Sequence, residues 1–185
     1  MTVLFPTLPR GAVIGARLLR YGGDLVSVLG GPTQRIARIG SRYAVDVQLP
    51  TLDAECAGRW LGAVLMAETR GETVTLALPQ MNSVVGLVGA TGTGAVGAGE
   101  IAYTGTAVLP GTWFSFVANG RFYLHLVTAQ PAADTLAISP RLRTAIAAAP
   151  LEFAHPKLEG YVDDTAWSLE FVRFVGHAFT LTESA

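Results

Sequence analysis

The closest approach to a cofactor signature is Gly92-x-Gly94-x-x-Gly97, which has the spacing of a dinucleotide-binding turn and follows an apolar run at 84–88. That motif works when its glycines open a helix whose N-terminus holds a pyrophosphate, with an acid about twenty residues further on for the ribose. Residues 98–105 carry no amphipathic helical pattern, and the acid that follows Glu100 is Asp134. The spacing is therefore read as incidental to a Gly-rich stretch, and no cofactor is expected. A phosphate loop would need Gly-Lys-Ser/Thr, yet the chain's one lysine, Lys157, stands in His155-Pro156-Lys157-Leu158-Glu159-Gly160 and reads as an exposed turn. His125, His155 and His177 are scattered, with no helical pair to hold a metal, so each reads as a structural histidine. Cys56 excludes an internal disulfide; the dipole of the helix it begins could lower its pKa, but no histidine partner is identifiable and it reads as a packing residue. Glu152, Glu159 and Glu170 could supply a glycosidase pair only if two of them faced each other; Asp163-Asp164 could suggest a cation site, but two adjacent acids point apart on a strand and read as a solvated turn. No catalytic constellation emerges, and an enzyme is not expected.

The elements that would position these residues are mostly strands. Tyr43, Val45, Val47 and Leu49 alternate with polar neighbours, as do Val74, Leu76 and Leu78, then Trp167, Leu169 and Phe171, then Phe179 and Leu181. Shorter candidates are 12–19, 25–29, 34–39 and 84–89. Asn119-Gly120 joins two aromatic runs, 113–118 and 122–127, and predicts a tight hairpin because both turn residues tolerate positive φ. One helix is expected at about 51–70, capped by Thr51, with Asp53 and Glu55 at its positive end and Gly71 as its stop. Its apolar stripe is Ala57, Trp60, Leu61, Val64 and Leu65, with Trp60 as the anchor on a sheet. Ala145–Ala149 is open to a helical turn or an Ala/Pro loop. Gly and Ala dominate 86–112, which reads as a flexible loop or hairpin tips. The expected fold is mainly β: a sandwich or sheet core from 1–88 plus 151–185 with one packed helix, and an inserted small barrel or hairpin module at 89–150.

Half of the 185 residues are apolar and 15% are charged, which excludes a disordered chain. The net charge of −1 gives no basic excess for a nucleic acid, and no apolar window reaches the about 18 residues of a membrane span. No secretory signal opens the chain, so it is expected to be made and to assemble in a cytoplasm. So few charges predict an exterior covered by other subunits.

Read in order, the blocks Arg42-Tyr43-Ala44-Val45-Asp46-Val47-Gln48-Leu49-Pro50, the helix with Trp60, Gly71-x-x-Val74-x-Leu76-x-Leu78-Pro79, Leu109-Pro110-Gly111-Thr112-Trp113-Phe114-Ser115-Phe116, Gly120-Arg121-Phe122-Tyr123, Leu136-x-Ile138-x-Pro140-x-Leu142, Ala166-Trp167-Ser168-Leu169 and Phe179-Thr180-Leu181-Thr182-Glu183 resemble the distal tail (tail-tip adaptor) proteins of long-tailed phages and of related gene transfer agents. The resemblance covers about residues 35–185. It implies a virion protein without an active site that forms a ring, commonly hexameric, between the tail tube and the hub or baseplate. Implied partners are copies of the chain, the tail-tube protein and hub proteins. Ring closure needs two different patches; they are sought in Gly92, Thr93, Gly94, Val96 and Gly97 and in the first 35 residues, with Arg17 and Arg20, a region taken to lack a charged solvent face. Alternative readings are a tail-tube or tube-terminator subunit, which an extended hairpin would favour, and a carbohydrate-binding module acting through Trp113, Phe122 and Tyr123.

Overall fold

The structure is a computed structural model and describes residues 2–26, 30–170 and 173–184. It is mainly β with one helix. Strands β1 (Val3–Leu4), β2 (Val13–Leu19), β5 (Arg42–Leu49), β6 (Val74–Ala77), β13 (Lys157–Glu170) and β14 (Arg173–Glu183) form one sheet in the order β1-β6-β13-β14-β5-β2. The alternation at 43–49 buries Tyr43, Val45, Val47 and Leu49 and leaves Asp46 and Gln48 outside. β13 also contains Trp167 and Leu169; the facing of their side chains, and Phe171 altogether, lie outside the described residues.

Helix α1 (Ala54–Arg70) covers the apolar face of this sheet. Asp53, not Thr51, is its cap: its carboxylate accepts from the Cys56 amide at 2.8 Å, which satisfies one of the donors left open at a helix start. Gly71 ends it at φ 61°. Its buried stripe is Ala57, Trp60, Val64 and Ala67, whereas Leu61 and Leu65 sit half-buried on its flanks. Trp60 is 2% exposed and meets Phe5 edge-on at 5.4 Å and Phe179 at 6.1 Å, so an N-terminal segment, the helix and β14 share one aromatic contact.

Between β6 and β13 lies a second sheet: β7 (Thr91–Gly94), β8 (Glu100–Thr104), β9 (Trp113–Ala118), β10 (Arg121–Ala132), β11 (Thr135–Ser139) and β12 (Ile146–Pro150), in the order β12-β7-β8-β11-β10-β9. It curls until its outer strands meet, because Ser115 on β9 and Glu152 just past β12 exchange both backbone hydrogen bonds, at 2.9 and 2.8 Å. Asn119 and Gly120 make the β9–β10 turn with φ 52° and 74°. The Gly-rich stretch contributes β7 and β8 rather than a flexible loop alone. Ile101 and Tyr103 are buried core residues, and the glycines leave room for neighbours: a Cβ on Gly94 would lie 2.6 Å from the buried Leu142 side chain. A small barrel mixes large and small residues inside, and here the small ones are glycines. Residues 84–89 form turns, not a strand, and 146–150 is a strand, not a helical turn.

The remaining strands, β3 (Gly22–Leu25) and β4 (Gln34–Ala37), pair only with each other. Expected strand residues 27–29 lie outside the described residues. Among the described residues no helix is long and apolar enough to cross a membrane.

The glycines separate into two groups that substitution should tell apart. Gly160 lies so close to β14 that an added Cβ would overlap the Thr182 carbonyl, while Gly58 and Gly62 on α1 face open space. G58A and G62A should each stabilise by about 0.5–1 kcal/mol through helix propensity, and G160A should destabilise by about 2 kcal/mol or more. Denaturant unfolding of the three variants checks this; equal effects would contradict the assigned close approach.

Candidate functional site

Three regions contain the polar and apolar groups that sequence or geometry singles out. The first is the seam between barrel and sheet. β11 pairs with β10 only from Leu126 onward, so the amides of Phe122 and Leu124 have no strand beside them. Two carboxylates from the sheet take that place: Glu159 Oε2 accepts from Phe122 N at 3.1 Å, and Glu183 Oε1 accepts from Leu124 N at 3.0 Å. Glu159 also accepts from the Thr73 and Thr2 hydroxyls. Glu183 Oε2 accepts from Tyr43 N at 3.2 Å, and Oε1 pairs with Arg143 at 2.5 Å. The side chains of Arg143 and Glu183 are 8% and 0% exposed, and the guanidinium lies 5.1 Å from the centre of the Tyr123 ring. Burial pushes the Glu183 carboxyl above its ordinary value, against the pull of Arg143 and the two amides. Both glutamates are occupied in joining two parts of the fold. Of the conceivable glycosidase set, Glu159 is thus buried and bonded, Glu152 is exposed and accepts from the His155 amide, and the Glu170 side chain lies outside the described residues.

Among the described residues the titratable and soft side chains do not assemble a centre. His125 is wholly buried in the barrel, stacked on Phe116 and Phe114 at 5.3 and 5.6 Å, with Nδ1 3.0 Å from the Pro140 carbonyl. Burial lowers its pKa from 6.5 to about 3. His177 is also buried, and burial lowers its pKa too; His155 is exposed. The Cys56 thiol is exposed and is pushed up, not down, because its hydrogen bond with Asp53 favours the protonated form. Lys157 is not a free turn lysine: it opens β13, its Nζ lies 4.9 Å from the centre of the Phe122 ring, and its amide donates to Ser115 Oγ at 2.9 Å. Among the described residues no group of three or more His, Cys, Asp or Glu is placed to hold a metal.

The aromatic set is divided by the pleat of the β9–β10 hairpin. Trp113 faces the sheet and meets Tyr43 edge-on at 4.8 Å, while Tyr123 stacks on Phe116 at 5.3 Å towards the barrel interior. Phe122, adjacent to Tyr123, takes the other face beneath Lys157. No shared stacking platform is formed by these three. The glycine set is likewise split: Gly92 is buried and Gly94 half-buried as barrel wall, Thr93 is exposed with its hydroxyl accepting from Ala148 N, Val96 is 53% exposed, and Gly97 turns at φ 82° beneath Ile39.

The third region is a projecting ribbon. β2 pairs with β5 from Val13 to Leu19, and the two chains continue outward as β3 and β4, linked on the way by Arg38 N to Tyr21 O at 3.1 Å and Tyr21 N to Ser41 Oγ at 3.0 Å. β2 is the outer strand of its sheet. Tyr21, Leu25, Val26 and Ile39 are 59%, 56%, 71% and 49% exposed. A two-stranded ribbon with both faces in water is marginal, and an open edge strand is a template for another chain. Arg17 and Arg20 are exposed here, Arg17 against Asp46 at 3.5 Å, so this region does carry a charged solvent face, contrary to expectation. Neither the ribbon's projection nor the paired seam glutamates were identified from sequence.

No protein-family model matches the chain, and no curated protein matches its sequence.

Acid should act on the barrel through His125. An unfolded histidine takes up its proton near pH 6.5, whereas folded His125 does so only near pH 3, so its contribution to stability is complete above 6.5 and is lost as pH falls towards 3. One proton is worth at most about 1.4 kcal/mol per pH unit in that window. Glu183, with a raised folded pKa, works oppositely: its contribution declines as pH rises from its unfolded to its folded value. H125F should flatten the acid limb of stability against pH by about one proton, read from urea unfolding at successive pH values; an unchanged slope would contradict this.

Proposed function

We propose that the chain is a structural subunit of a phage tail tip that closes into a ring, hexameric by resemblance, between the tail tube and the hub or baseplate, and that it acts by contact rather than turnover. The observation carrying this reading is the ribbon of β2–β3 and β4–β5, whose outer strand is open and on which Tyr21, Leu25 and Val26 are each more than half exposed. A ring supplies that cover by a head-to-tail contact, in which the patch given and the patch received differ. The order of sequence blocks supports a tail-tip station, with copies of the chain, tail-tube protein and hub proteins as neighbours, and the virion as its destination.

The same ribbon gives one specific argument for a second reading, a tail-tube or tube-terminator subunit, since an extended hairpin can enter the next ring of a stack. A carbohydrate module gains less, because Trp113, Phe122 and Tyr123 do not share a face. Immunogold electron microscopy of purified virions separates these stations. Label confined to the tail tip is the expected result, label along the tail would assign a tube subunit, and absence of the chain from purified virions would overturn both.

A further inference from the structure

The charge of this chain is segregated. Residues 10–42 hold Arg10, Arg17, Arg20, Arg35, Arg38 and Arg42 against Asp24, a net of +5; because the whole chain sums to −1, the remainder holds −6. These arginines lie along the ribbon and its root. Arg10, Arg17, Arg20 and Arg38 are exposed, and among the described residues Arg10, Arg20 and Arg38 have no carboxylate in ion-pair reach. Arg20 and Arg38 border a cleft of about 300 Å³ with Tyr21, Asp24, Leu25 and Ile36.

We infer that the basic ribbon of one copy docks on the acidic body of a second copy, so that assembly is selected by charge as well as by apolar contact. This rests on the ring reading above and adds the charge of the partner surface. Two observations favour a second copy over a polyanion such as nucleic acid. The first is complementarity within one sequence: residues 10–42 carry +5 and the remainder −6, and while Glu159 and Glu183 of that remainder are buried, Asp53, Glu55, Glu68, Glu100, Asp134 and Glu152 are exposed on the body. The second is what interleaves the arginines. Leu18, Tyr21, Leu25 and Val26 are all exposed between them. Arginine mixed with tyrosine and aliphatic side chains is the composition of a protein interface, whereas a phosphate backbone would leave the aliphatic groups uncovered. Like charges also discourage ribbon-to-ribbon pairing, which directs the open edge towards a different patch, as a closed ring requires.

Sedimentation velocity of the intact chain at about 50 mM and about 500 mM NaCl tests this, because contacts between exposed charges are screened over that range. The wild type should self-associate at low salt and weaken at least tenfold at high salt. R10E/R20E/R38E should be monomeric at both, with circular dichroism and melting like the wild type; the milder R20Q/R38Q, which leaves the ribbon uncharged at two places, should associate less and respond less to salt. Association of either folded variant equal to wild type would overturn the inference while leaving the ring itself standing. So would a wild type that stays monomeric throughout, in which case the ring reading is judged by the chain's presence in virions. A wild type that shifts a short DNA duplex through these same arginines would overturn it in favour of a polyanion partner.

Discussion

The amides of Phe122 and Leu124 face the side of β10 that β11 has not yet reached, and a buried amide without an acceptor costs on the order of 1–3 kcal/mol. Glu159 and Glu183 remove that cost from outside the barrel. Because β13 and β14 bring these carboxylates from the larger sheet, satisfying the barrel's edge also fixes where the barrel sits. Glu183 could not serve this end alone, since a buried carboxylate without a counter-charge is expensive. Arg143, which enters from the segment after β11, supplies the charge and lies over Tyr123 as it does so. One interaction therefore ties β5, β10, β14 and the β11–β12 connection together.

The close approach of β13 and β14 follows from the same demand. Gly160 pairs with Glu183, and any side chain there would meet the Thr182 carbonyl. Ser184 N then bonds back to the Glu159 carbonyl at 3.0 Å, which holds both acids at one end of the sheet. Trp113, edge-on to Tyr43, fills the apolar part of the seam beside these polar contacts. The joint is thus partly aromatic and partly ionic.

Much of this was legible because a half-buried strand writes its burial into alternate residues. The run 43–49 and the Asn119-Gly120 turn are local signals with local causes, and both strands and turn stand where the pattern puts them. The helix was legible in extent, but its cap was not: Thr51 and Asp53 are both competent acceptors, and only the backbone angles decide which one meets the Cys56 amide. The Gly-rich stretch misleads for a clearer reason. Glycine supplies no side chain to a core, yet in a narrow barrel it supplies space, which Ile101 on β8 and Leu142 and Leu151 on the connections before and after β12 occupy. The value of Gly92 and Gly94 is set by residues up to about sixty positions away, and periodicity in a short window has no access to it. The seam glutamates were hidden similarly, since the strand they replace is absent from the sequence pattern altogether.

The chain therefore treats its open edges in two ways. Within the fold, the short open stretch of β10 is closed by carboxylates of the same molecule. At the ribbon, β2 offers a longer edge, and among the described residues no third strand joins β3 and β4. A protein meant to remain alone would blunt such an edge with inward charges, a bulge or a covering loop. Here Arg17, Arg20 and Arg38 stand exposed among apolar neighbours, which makes ribbons mutually repulsive without blocking their backbone. That combination disfavours contact between identical ribbons while leaving them open to a differently charged surface; on the ring reading proposed above, the cover that the marginal two-stranded element lacks would come from a second copy of the chain.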